Sequence, residues 1–323
     1  MSEAGIIAAV LWLALTAYAV LAGADFGGGV WDLFASGPRA REQRQAVATA
    51  MGPVWEANHV WLIFMITGLF TAFPSAFGVL SLDLYVPFTI ALVGIVLRGA
   101  AFAFRAHGRE AVGGASTWGV AFGTASIIAP FFLATGIGAV AVGLTSSSWA
   151  APYSFLIGCF AVSMCAYLAA TYLMVETEAT PLESDFRQKA AIAGVVAGVL
   201  AVICLGLAPL AAPNLAHALL GRGLPLALLA LINGLVALAA VSRSRPRIAR
   251  VAVAGQVVLV LWAWAVGQWP SLIPPTVTID AAAAPSSTLD ALLVVIGVGM
   301  LALIPSLAIL FRVFKARNPA AID

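Results

Sequence analysis

Six ionisable residues stand where a chain this apolar would be expected to avoid them: Asp25, Asp32, Glu56, Asp83, His59 and Arg98. An ionisable side chain in hydrocarbon costs about 2.5–3.5 kcal/mol on insertion scales, so each one needs a reason. Desolvation works against the charged form of a carboxylic acid, and a group that can hold either state near neutral pH can relay protons. The plainer reading is a paired buried charge that moves no proton, for example Asp25 or Glu56 with Arg98. His59 lies three residues after Glu56, on the same helical face. A lone buried histidine also raises the question of haem. One such residue cannot ligate several haems, His107 and His217 fall in loops, and the six methionines are scattered. His59 is therefore read as a hydrogen-bonding partner for a neighbouring helix.

Other chemistries find less support. Cys159, Cys165 and Cys204 all lie in apolar runs without a CxxC pair, and read as small buried hydrophobes rather than metal ligands or a disulfide framework. The Gly27-Gly28-Gly29 run follows no strand and fits no GxGxxG pattern. Its glycines are expected to permit close helix contact, or to loosen a helix end beside Asp25.

The elements that position these residues follow from composition. Of 323 residues 62% are apolar and 9% are charged, against about 25% charged in an ordinary soluble domain. That excludes a soluble enzyme, a nucleic-acid-binding protein and a disordered chain. Nine runs are long enough to cross a bilayer: 5–27, 46–73, 77–101, 116–144, 154–175, 190–212, 223–242, 248–269 and 289–313. They are continuously apolar rather than alternating, so helices are predicted and a closed barrel is not. Met-Ser-Glu-Ala carries no basic n-region, and the first run is expected to be a retained helix rather than a cleaved signal. No boundary divides the chain, no internal repeat is visible, and residues 1–323 read as one integral membrane domain.

All of the 16 Lys and Arg residues except Arg222 fall on one side of this alternation. The positive-inside rule then places the N-terminus outside and the C-terminus in the cytoplasm. Orientation predicts depth. Asp25 lies towards the cytoplasmic end of the first span, and Asp32 at the interface as a solvated helix-end acid. Glu56 is about 15 Å into the second span, near the midplane, and Asp83 about 9 Å from the outer surface. Arg98 is near the inner end of the third span and is expected to snorkel. Asp25 and Glu56 thus mark two depths of one ladder from the cytoplasm to mid-membrane.

Residues 23–31 read Gly-Ala-Asp-Phe-Gly-Gly-Gly-Val-Trp, and residues 52–62 read Gly-Pro-Val-Trp-Glu-Ala-Asn-His-Val-Trp-Leu. This pairing resembles subunit II of the cytochrome bd-type quinol oxidases. The resemblance continues at Phe73-Pro74, at Arg98 through Arg105, at Trp118-Gly119 through Phe122-Gly123, Ser126 and Pro130, at the outer loop with Pro270, Pro274 and Pro275, and at the last helix with Pro305. It implies an all-α polytopic membrane protein of the bacterial cytoplasmic membrane, about nine helices arranged as two four-helix bundles plus one extra helix. It implies a haem-free companion, with no redox centre of its own, to a subunit I that carries haems b and d, oxidises membrane quinol and reduces dioxygen to water. By the same analogy a structural quinone or lipid and small single-span accessory subunits are compatible with this chain, and no nucleic acid is. The family's cytoplasmic proton pathway maps onto Asp25 and Glu56, with Trp55, Asn58, His59, Arg98 and Asp32 around them. Two departures stand out. The family often has an acid where this chain has Ala103, which puts the cytoplasmic mouth of the pathway in question. Some members carry Asp where this chain has Glu56.

Two other functions compete. Nine helices with buried acids also fit a proton-coupled secondary transporter, whose substrates bind near the midplane. A haem-free scaffold whose acids carry no protons is the third reading.

Overall fold

In the computed structural model the backbone of residues 2–107 and 117–316 is described, with side chains throughout except at 51–57, 106–107, 307 and 310–316. The side chains of Trp55 and Glu56, and residues Arg109 and Arg317, lie outside what is described.

The chain folds into α1 (Glu3–Leu33), α2 (Ala40–Ala72), α3 (Pro74–Asp83), α4 (Tyr85–His107) and α5 (Thr117–Val142). A 3-10 turn at Ser148–Ala150 leads to α6 (Pro152–Glu176), α7 (Pro181–Ala211), α8 (Pro213–Leu220), α9 (Leu224–Ser242) and α10 (Pro246–Gln268). Strands β1 (Ser271–Ile273) and β2 (Val277–Thr278), then α11 (Ile279–Ala282) and α12 (Ser286–Ala316), complete it. Among the described residues eight helices are long and apolar enough to span a membrane, and the bent pair Asn58–Ala72 with Pro74–Asp83 makes a ninth candidate.

Eight of the nine expected spans coincide with a single long helix. The third does not begin at residue 77. Residues up to Asp83 form α3, which turns by 119° from the end of α2, and the membrane-length helix starts at Tyr85. The cause is Phe73-Pro74. Proline cannot donate the bond that would continue α2, and it pushes the preceding residue out of the helical region. Phe73 accordingly sits at φ −134°, ψ 59°, and Pro74 opens the next helix at its first position. Asp83 is the last residue of α3, just before the membrane-length helix that starts at Tyr85.

The same device recurs at Ala212-Pro213, where Ala212 has φ −142°, ψ 63° and α8 follows. This recurrence exposes a repeat that the sequence conceals. α1 packs on α2 and α5, α3 bridges α2 to α4, and α4 packs on α5. In the second half α6 packs on α7 and α10, α8 bridges α7 to α9, and α9 packs on α10. Two four-helix bundles result, α1-α2-α4-α5 and α6-α7-α9-α10. They are joined where α6 lies against α1 and α5, and α12 is the additional helix, resting on α1 and α2.

The junction is built on glycine. A Cβ on Gly27 would lie 1.8 Å from the Cys165 carbonyl oxygen of α6, and one on Gly29 would lie 2.0 Å from Ser126 Oγ of α5. These glycines therefore let three helices approach closely. The helix is not loosened there: α1 runs on to Leu33.

The basic connections gather at one end of the molecule. Arg39 pairs with Asp185, Arg247 with Glu178 at 3.2 Å and Arg250 with Glu176 at 3.8 Å, while Arg187 bonds Ser244. Arg222 lies at the other end, where it donates to the Trp269 carbonyl at 3.1 Å. That end is capped by the β1–β2 hairpin and α11, with Ser2 Oγ donating to Asp280 at 2.9 Å and Ala284 N to the Ala72 carbonyl at 2.8 Å.

Candidate functional site: a ladder of buried ion pairs

Asp25 and Asp32 are seven residues apart on α1, and Arg98 and Arg105 are seven apart on α4. Two helical turns separate each pair, about 10.5 Å of rise, so the four side chains meet as two rungs. In the upper rung Arg98 Nη2 donates to Asp25 Oδ1 at 2.6 Å and to the Asp25 carbonyl at 3.1 Å. Its Nε donates to Ser126 Oγ at 2.9 Å, and that hydroxyl donates onward to the Phe122 carbonyl at 2.7 Å. Asn58 Nδ2 donates to the other carboxylate oxygen, Asp25 Oδ2, at 2.9 Å. In the lower rung Arg105 grips Asp32 with two bonds, Nη1 to Oδ2 at 2.8 Å and Nη2 to Oδ1 at 3.0 Å. Arg44 caps the nearby helix end through the carbonyls of Asp32 and Ala35.

The rungs share a wall. The Phe122 ring lies 4.6 Å from the Arg98 guanidinium carbon and 6.0 Å from that of Arg105, and the Phe26 ring adds a second face 5.4 Å from Arg98. Cation–π contact supports a guanidinium that has left water. Asp25 is 1% exposed, Arg98 3% and Asn58 1%, and Ser126 is fully buried.

These positions change two expectations. Arg98 does not snorkel: Asp25 holds it in the interior. Asp32 is not a solvated helix-end acid: it is 2% exposed and fully paired. In both cases the partner comes from a helix 73 residues away; the Asp25–Arg98 pair is the one that the plainer reading of the sequence offered, and Arg105 as the partner of Asp32 is new. The parallel seven-residue spacings were the legible signal, and they single out Arg105. Ser126 and Phe122 came forward only as parts of a motif. Glu56 lies outside the described side chains, His59 is half-buried beside Asn58, and Ala103 is exposed on α4 between the two arginines.

Two buried polar atoms on α2, Asn58 Oδ1 and Trp61 Nε1, have no hydrogen-bond partner among the described residues. They are three residues apart, on one face of the helix. Such groups normally mark a place for water or for a change of partner. Among the described residues no group of three or more His, Cys, Asp or Glu side chains could hold a metal ion.

The second bundle makes an instructive contrast. Its corresponding helices α9 and α10 carry a neutral pair, with Asn233 Nδ2 donating to Gln256 Oε1 at 3.2 Å and to the Ala252 carbonyl at 2.7 Å. The buried ion pairs among the described residues thus lie in the first bundle, and α9 and α10 of the second meet through a part-buried neutral amide pair.

Fold and site together define a multi-pass helical membrane protein with an ion-paired lane inside one of two repeated bundles. Residues 4–314 match the family described as cytochrome bd terminal oxidase subunit II, and the chain belongs to that family. It is a multi-pass protein of the bacterial inner membrane. It is 38% identical over 100 residues to cytochrome bd ubiquinol oxidase subunit 2 of Bacillus subtilis (strain 168), covering 29% of each chain. It is 25% identical over 209 residues to cytochrome bd-I ubiquinol oxidase subunit 2 of Escherichia coli (strain K12), covering 60% of this chain and 53% of that one. The chain therefore aligns with about half or less of the length of these curated relatives. Its fold matches a chain of the bd oxidase from Geobacillus thermodenitrificans at a TM-score of 0.83 and 23% identity, over 97% of this chain and 99% of that one.

Proposed function

We propose that this chain is the haem-free second subunit of a cytochrome bd-type quinol oxidase, and that it feeds protons from the cytoplasm towards the haem-bearing subunit I, where dioxygen becomes water. The observation that carries this reading is Asp25. It is a buried carboxylate two helical turns from the Asp32–Arg105 rung on the side of the basic end, in a chain whose family serves a proton-consuming oxidase. The basic end is taken as the cytoplasmic one.

The groups around Asp25 suit both of its protonation states. As a carboxylate it accepts from Arg98 on one oxygen and from Asn58 Nδ2 on the other. Once a proton arrives on Oδ2, that oxygen becomes a donor and needs an acceptor. Asn58 Oδ1, which has no other partner among the described residues, supplies it when the amide turns over. Asn58 thus holds Asp25 in place through loading and unloading, and Arg98 keeps the unloaded carboxylate from standing alone. Glu56, two residues before Asn58 on α2, is the next proton carrier. Phe122 and Gly29 pack between the two rungs, so transfer from the basic end relies on water rather than on a continuous chain of side chains.

Affinity purification of the full chain from its native membrane tests the assignment. Haem absorption, a co-purifying haem-bearing subunit and quinol-dependent oxygen uptake are expected. A chain that purifies alone, without haem, and moves a solute with protons would mark a transporter instead. Within the oxidase, Glu56→Gln is expected to lower oxygen uptake by about 100-fold, the lower end of the range for lost acid–base groups, and Glu56→Asp to retain most of it. Equal loss in both variants, at unchanged haem content, would give Glu56 a geometric role only.

A further inference from the structure

A cavity of about 370 Å³ opens at the basic end, between the last turn of α1, the start of α2 and the first turns of α7. Neither Asp25 nor Asp32 lines it. Its polar wall is a connected set. Arg39 Nε donates to Asp185 Oδ2 at 2.9 Å, with a second bond from Nη2 to Oδ1, and Gln43 Nε2 donates to Asp185 Oδ2 at 3.0 Å. The charge of Asp185 is therefore matched by Arg39. Lys189 remains. Its Nζ donates to Gln43 Oε1 at 2.9 Å, a neutral acceptor, and stands 5.2 Å from the centre of the Trp31 ring and 5.6 Å from that of Phe186. An ammonium has three donors. Among the described residues that single amide oxygen is its only hydrogen-bond partner, and no carboxylate lies within ion-pair distance of it. The cavity thus holds a half-buried ammonium that Asp185 and Asp32 attract from a distance but that no carboxylate touches, with donors to spare.

What completes it has to be an anion, and the surface below the cavity says which kind. Ile192, Val195, Val199 and Val202 follow one another along α7 at three- and four-residue steps, which puts them on one face. They are 54%, 56%, 54% and 68% exposed. This stripe begins at the cavity, since Ile192 lines both, and runs into the apolar length of the helix. An anionic group in the cavity and an apolar chain along the stripe belong to one molecule. Basic pockets between helices at the membrane surface bind anionic headgroups by the same logic.

We propose that this cavity is a binding site for an anionic phospholipid, its phosphate held by Lys189 and its acyl chain laid along the Ile192–Val202 face of α7. The proposal is independent of the proton-path reading, because the site shares no residue with the Asp25 rung.

The test is thermal unfolding of the full chain, purified in detergent with whatever partner it brings and stripped of lipid. Phosphatidylglycerol is expected to raise Tm by roughly 1–2 °C more than phosphatidylcholine, the shift that about 1 kcal/mol produces at about 2.1 cal/mol/K of unfolding entropy per residue in a chain of this length. The excess should persist in Lys189→Arg and vanish in Lys189→Gln. Should Lys189→Gln fail to accumulate, Gln188→Trp fills the cavity from its exposed rim without removing the cation, and the excess should vanish there too. Equal shifts from the two lipids in the unsubstituted protein would overturn the proposal, as would an excess that survives Lys189→Gln or Gln188→Trp. An equal rise produced by glycerol phosphate without acyl chains would make the site a pocket for soluble anions and overturn its assignment to lipid.

Discussion

Replacing Asp25 by asparagine is expected to lower quinol-dependent oxygen uptake by roughly 100-fold, the lower end of the range for a lost proton-transfer group. Haem absorption of the assembled oxidase should remain. The expectation rests on what Arg98 keeps. Without the carboxylate, its Nη2 still reaches the backbone carbonyl of residue 25, its Nε still reaches Ser126, and the Phe122 and Phe26 rings still face it. An asparagine amide can also accept from Nη2. The buried cation is weakened in its contacts but not abandoned, so the fold should hold while the proton carrier is gone. Oxygen electrode traces on membranes of matched haem content provide the measurement. An uptake within about twofold of the unsubstituted enzyme would mean that Asp25 is part of the structure only.

Arg98→Leu is the harsher change, and its expected effect is on assembly rather than rate. It leaves Asp25, 1% exposed, with Asn58 Nδ2 as its remaining side-chain hydrogen-bond donor among the described residues. Removing one member of a buried ion pair typically costs about 3–5 kcal/mol, because the other charge is left unpaired. Against a folding stability of about 5–15 kcal/mol that is a large fraction. The haem content of membranes should fall steeply. Arg98→Lys should recover only part of it, since a single ammonium cannot reproduce the separate bonds that Nε and Nη2 make to Ser126 and Asp25. Arg105→Leu should be milder. Asp32 lies by the Arg-rich end of the molecule, where Arg44 already approaches its backbone. The prediction fails if the two leucine variants accumulate equally.

This asymmetry between the rungs illustrates what a single chain of letters can and cannot disclose. Apolar run length predicted the long helices, because a bilayer imposes one length on all of them. The acids that matter stood out for the same reason, being costly where they are. Their partners were half legible. Asp25 with Arg98 is the plainer reading of the sequence and the structure pairs them, but depth along one helix also let Arg98 be expected to snorkel and Asp32 to be solvated, and it gave no hint of Arg105. The seven-residue spacing common to both helices held that information, and it becomes meaningful only once α1 and α4 are known to be neighbours.

The repeat was hidden for a related reason. The two halves share helix order and a proline break, at Phe73-Pro74 and at Ala212-Pro213. Their interiors differ in chemistry, with Arg98 and Ser126 in one and Asn233 and Gln256 in the other. A membrane interior constrains the length and packing of helices much more tightly than the identity of their apolar residues. Two bundles can therefore keep a shape after their sequences have ceased to resemble each other. The glycines at 27 and 29 are the exception, where packing itself dictates the residue. The contact reading of them rested on that physics, and α5 and α6 meet α1 there.

The central claim is that Asp25 carries protons and does more than neutralise Arg98. The double variant Asp25→Asn/Arg98→Gln tests it most directly. It removes both charges together, so neither is left buried alone, and the structural part of the pair's contribution is largely cancelled. Oxygen uptake with quinol, measured at haem content equal to that of the unsubstituted oxidase, is predicted to stay as low as in Asp25→Asn. Recovery to near the unsubstituted rate would contradict the account and leave the ion pair as a structural element.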